Sequence, residues 1–96
     1  MDEETRKAQQ DEDEKDAIAK RLSDEVDKAE QDYNTAVQRR KKAVERYLST
    51  SECSIDELTS RRMEFINSTE SVGRTFRTFK NKLAVLQTWE AQNAAR

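Results

Sequence analysis

Histidine and proline are absent from this chain, glycine and cysteine each occur once, and only six percent of its residues are aromatic. Each shortage excludes something. Without histidine the commonest metal ligand and general base are missing. A single cysteine, Cys53, cannot form an internal disulfide, and only Ser and Glu flank it, so it reads as an ordinary free thiol. No apolar run approaches the roughly 20 residues of a membrane span. The acidic start Met1-Asp2-Glu3-Glu4 is the opposite of a signal or transit peptide, so a soluble, cytoplasmic protein is expected.

What remains is charge. Of 96 residues, 40% are charged and 33% apolar, a balance that suits either a long helical assembly or a disordered chain. Helix breakers cluster in one place, Ser49-Thr50-Ser51-Glu52-Cys53-Ser54, where hydroxyl side chains bond locally to backbone and compete with helix. Ser54 with Glu57 three residues on has the form of a capping box, so a helix is expected to start there. The expected organisation is an acidic, flexible or frayed lead-in over 1–10, a first helix over 11–49, a turn at 50–54 and a second helix over 55–93.

Periodicity supports both helices. In the first, Ile18, Leu22, Val26, Ala29, Tyr33, Val37, Arg40, Val44 and Leu48 follow an eleven-residue repeat, broken only by Arg40, whose stem can lie on apolar surface while its guanidinium reaches water. In the second, Ile55, Leu58, Arg62, Phe65, Thr69, Val72, Phe76, Phe79, Leu83, Leu86 and Glu90 alternate steps of three and four, a strict heptad. Gly73 inside it costs roughly 1 kcal/mol relative to Ala, which predicts a kink or a close helix approach.

If the chain reverses at Ser51-Glu52, facing residues have numbers that sum to about 103. Val26 then meets Phe76, Val37 meets Phe65 and Ile66, and Ala29 lies opposite Gly73. The four bases Arg74, Arg77, Lys80 and Lys82 fall beside a net acidic stretch of the first helix. The predicted fold class is therefore all-α: two long helices in an antiparallel coiled-coil hairpin. Two helices cannot surround Tyr33, Phe65, Phe76, Phe79 and Trp89, so a dimer or a helical partner completing a four-helix bundle is expected.

No constellation of catalytic, cofactor-binding or metal-ligating residues emerges, and no small-molecule substrate is expected. Asn67-Ser68-Thr69 matches a glycosylation acceptor by chance inside a helix. The leading expectation is a non-enzymatic protein-binding scaffold or adaptor whose partner contacts include Phe65, Phe76, Phe79, Leu83, Val85, Leu86 and Trp89. An alternative uses the basic residues Arg39, Arg40, Lys41, Lys42, Arg46, Arg61 and Arg62 near the turn to touch phosphates, at a membrane surface in peripheral contact or on nucleic acid. The net charge of -2 and the lack of aromatics in the basic run count against nucleic acid. A third expectation is a small chaperone or acidic mimic that covers another protein's helices. Many unrelated hairpins share such an architecture, so architecture alone assigns no process.

Overall fold

The computed structural model describes residues 2–94. They form two helices, α1 (Glu3–Leu48) and α2 (Ile55–Ala94), folded back on each other as a rod measuring 77 × 21 × 14 Å. The helix continues through residues 3–10, the stretch read from sequence as a lead-in, because Asp2 caps it. Its carboxylate accepts the Thr5 N–H at 2.9 Å and the Thr5 hydroxyl at 2.7 Å, and these two bonds hold the Asp2 carboxyl below its usual range. Glu3 and Glu4 add favourable charge at the helix N-terminus. At the second start, the Ser54 hydroxyl accepts the Glu57 N–H at 3.2 Å, the hydroxyl half of a capping box.

α2 is rich in Ser and Thr, residues that ordinarily compete with helix. Here their hydroxyls turn inward on their own backbone: Thr69 donates to the Phe65 carbonyl, Thr75 to Ser71 and Thr88 to Ala84, at 2.8–2.9 Å. The helix is thereby preserved and its polar groups are satisfied.

The register differs from the one expected. The pairs that touch across the hairpin are Arg40 with Thr69, Arg46 with Glu64, Glu25 with Lys82, Tyr33 with Phe76 and Phe79, and Tyr47 with Phe65. Their numbers sum to 107–112 rather than 103, a slip of about two helical turns. Arg61 is the cause. Its guanidinium donates to the carbonyls of Arg46 (3.0 Å) and Ser49, so residue 61 rather than residue 55 stands at the end of α1. The first turns of α2 overshoot, leaving Leu48 and Ile55 73% and 83% exposed instead of paired.

The α1 stripe differs too. Its buried residues are Leu22, Val26, Ala29, Ala36 and Ala43, and the half-buried Tyr33 and Tyr47 continue the same line. The steps are three and four, a seven-residue ladder, so the eleven-residue repeat does not describe the packed face. Ala36 and Ala43, each 4% exposed, replace Val37 and Val44, which stand half-buried at the edge. On α2 the half-buried line runs through Arg61, Phe65, Ser68, Val72, Thr75, Phe79, Leu86 and Trp89, which turns Thr69 and Phe76 outward. Small residues on both helices thus share the centre of the seam. Gly73 is exposed, and a Cβ built there meets nothing within 4 Å, so it does not lie against Ala29. α2 runs through it as one helix.

Candidate interaction surface

Ala29, Ala36, Ala43, Ser68 and Thr75 take part of the seam, and several large side chains lie toward its two edges. Along one edge, Tyr47 stacks on Phe65 with centroids 5.3 Å apart, the Arg40 guanidinium lies 5.9 Å from the Phe65 ring, and Arg40 Nε donates to Thr69 Oγ1 at 3.2 Å. Further along, Tyr33 meets Phe76 at 5.6 Å and Phe79 at 6.4 Å. Tyr33, Arg40 and Tyr47 recur every seven residues, so this edge is one continuous aromatic flank. Arg40 is its polar member, exposed, with its guanidinium rather than its stem against Phe65 and Thr69. Phe76 remains 47% exposed despite its tyrosine neighbour, and Leu58, toward the turn, is 41% exposed.

The opposite edge carries two open grooves. Near the turn, Arg39, Lys42, Arg46, Glu64, Asn67, Ser68 and Ser71 line a groove of about 440 Å³. Near the free end, Ile18, Leu22, Val85, Thr88 and Trp89 line an apolar groove of about 450 Å³. Val85 is 53% exposed and Trp89 half-buried. Leu83 and Leu86 are half-buried along the hairpin. The anticipated contact residues are therefore divided: Phe65 and Phe76 with Phe79 on one flank, Val85 and Trp89 on the other.

Of the seven basic residues, Arg39, Lys42 and Arg46 line one groove and Lys42, Arg46 and Arg61 a neighbouring one. Arg61 is spent capping α1, and Arg46 is held by Glu64 at 3.1 Å. Arg40 lies along the aromatic flank, whereas Arg39 and Lys42 line the groove opposite. Arg62, Lys41 and Lys42 are exposed. Sequence periodicity missed Tyr47 and Arg61 as structural contacts. The seven-residue recurrence of Tyr33, Arg40 and Tyr47 would have found the first, but a side chain reaching back to carbonyls 12 and 15 positions away leaves no pattern.

Among the described residues no helix is long and apolar enough to cross a membrane, and no group of His, Cys, Asp and Glu is placed to hold a metal ion. No protein-family model, curated protein or solved structure matches this chain.

Proposed function

We propose that this hairpin is a non-enzymatic protein-interaction module whose aromatic flank docks against further helices to complete a four-helix bundle. The observation that carries this reading is that no residue of α2 is buried, although the helix holds Phe65, Phe76, Phe79, Leu83, Leu86 and Trp89. The accessible surface is 7906 Å². A compact monomer of 11.2 kDa exposes about 5,700 Å². The excess, about 2,200 Å², exceeds the roughly 800 Å² that each partner contributes to a standard interface. Apolar contacts supply affinity in such a surface, and charge sets orientation.

The test is association measured by light scattering and crosslinking from a photoreactive residue at position 76. Binding through the flank persists at about 0.5 M salt, because apolar contacts are not screened. It is lost in Leu58→Asp/Phe76→Asp while circular dichroism still reports helix. Equal association by parent and variant, or no crosslink from position 76, would reject the reading.

A second reading rests on the groove bearing Arg39, Lys42 and Arg46 beside Asn67 and Ser71, donors suited to phosphate, whereas the Ser68 hydroxyl there already donates to the Phe65 carbonyl. Glu64 stands in the same groove and neutralises Arg46, which places this reading behind the first. Sedimentation with phosphatidylserine vesicles tests it. Binding that collapses at about 0.5 M salt and in Lys41→Glu/Lys42→Glu supports a phosphate surface.

A further inference from the structure

In the groove opposite the aromatic flank, Arg39, Lys42 and Arg46 follow steps of three and four on α1, so they stand in one row with the buried Ala43 as its floor. Glu64, Asn67 and Ser71 follow the same steps on α2 and form the facing row. Contacting pairs across the hairpin sum to about 110, which sets Arg39 level with Ser71, Lys42 with Asn67 and Arg46 with Glu64. Each level has its own charge. The Arg46 level is closed by its ion pair at 3.1 Å. At the other two a cation faces a neutral donor, and among the described residues neither Arg39 nor Lys42 belongs to an ion pair. The remaining acids of this end lie outside the groove: Glu45 and Glu57 line neighbouring ones, Glu52 and Asp56 belong to the turn and the first turn of α2, and Glu70 does not line it.

We infer that this groove binds a soluble diphosphate-bearing anion, one phosphoryl group at the Arg39–Ser71 level and the next at the Lys42–Asn67 level, with Glu64 as its built-in competitor. The inference rests on the phosphate reading of the groove and adds ligand class and orientation. Three residues of helix set the two levels about 4.5 Å apart along the axis, close enough for an Arg and a Lys to converge on linked phosphoryl groups. Arg39 offers a planar fork to one and Lys42 a point charge to the other, while the Ser71 hydroxyl and the Asn67 amide donate from the far wall. The groove volume, about 440 Å³, lies within the range of about 300–1,000 Å³ usual for small-ligand sites.

A flat anionic membrane fits less well. Docked end-on, the rod would present Glu52, Asp56 and Glu57 first, with Lys42 about 9 Å back from the Leu48 end of α1. Glu64 explains how the site is tuned. Its pair with Arg46 is exposed and therefore weak, so a multiply charged anion can draw Arg46 away, yet the carboxylate still repels that anion from the adjoining level.

Titration with inorganic pyrophosphate at low salt, read by amide chemical shifts and calorimetry, makes the test, with orthophosphate as the comparison. Shifts should be confined to residues 39–46 and 64–71, and orthophosphate, which engages one level, should bind at least about tenfold more weakly. Arg39→Gln/Lys42→Gln should weaken pyrophosphate at least about tenfold, and Lys41→Gln, off the groove, by less than about twofold. Glu64→Gln should strengthen it about three- to tenfold, whereas Glu70→Gln, the same change of charge outside the groove, should not. The comparison of the two anions uses the parent chain, so it stands even if a variant loses helix. No saturable pyrophosphate binding by about 10 mM, orthophosphate bound as tightly, or equal losses at positions 41 and 42 overturns the inference. Phosphatidylserine vesicles separate the two readings: sedimentation with them in any of those cases leaves a phosphate-attracting surface without this site, and failure to bind either probe removes the phosphate reading too.

Discussion

Replacing Ala36 by Leu is the perturbation that most directly reads the internal register. Ala36 is 4% exposed and Val37 half-buried, whereas the eleven-residue reading placed Val37 on the seam and Ala36 off it. Added methylenes at a packed position force side chains off their rotamers or push helices apart, at a cost of typically 1–3 kcal/mol. The Ala stripe has little room to yield, since Ala29 and Ala43 are equally enclosed one heptad away on either side. Taking about 2 kcal/mol, the melting temperature of a chain this size falls by about 8–16 °C. Helix propensity does not confound the result, because Leu is nearly as good a helix former as Ala. Gln38→Leu, on the exposed side of the same turn, is the control and should stay within about 0.5 kcal/mol of the parent. Thermal melting followed by circular dichroism at fixed protein concentration makes the measurement. An Ala36→Leu variant that melts with the parent would refute the seven-residue packing of α1.

Other consequences follow from individual residues. Arg61→Ala removes the donors that close the last turn of α1 and should cost about 1 kcal/mol, with faster amide exchange near Arg46 to Ser49; Arg62→Ala should leave both unchanged. Gly73→Ala adds a Cβ in open space, so at concentrations where the chain is monomeric it should raise stability by up to about 1 kcal/mol. Protonating Asp2 removes its bonds to Thr5. Its carboxyl lies below the ordinary value of 3.8, so the cap's contribution is present above that value and is lost as pH falls through the lower folded-state value. The Thr5 amide should then exchange faster while the amides of Ala29 and Ala36 do not, and uniform exchange along α1 would contradict the local cap. Glu64→Gln should change stability by less than about 1 kcal/mol in chemical denaturation, because both members of its ion pair are largely exposed.

Much of the hairpin was legible in the residues. Absence of proline, a single glycine, and hydroxyl residues gathered at 49–54 determine two helices and one reversal, since these are local propensities that act without a partner. Ser54 starts α2 as its capping pattern implied, and opposite charges do meet across the hairpin at Glu25 and Lys82. Which face of each helix turns inward was a tertiary decision. Hydrophobicity ranks Val37 and Val44 above Ala36 and Ala43, but toward the turn the alanines face α2 and the valines stand at the edge, whereas Leu22 and Val26 are buried nearer the free end. The α2 aromatics lie beside that line of alanines, Phe65 and Phe79 half-buried and Phe76 exposed. The register was likewise beyond local reading, because contacts such as Arg61 reaching carbonyls at the end of the other helix exist only once both helices are in place.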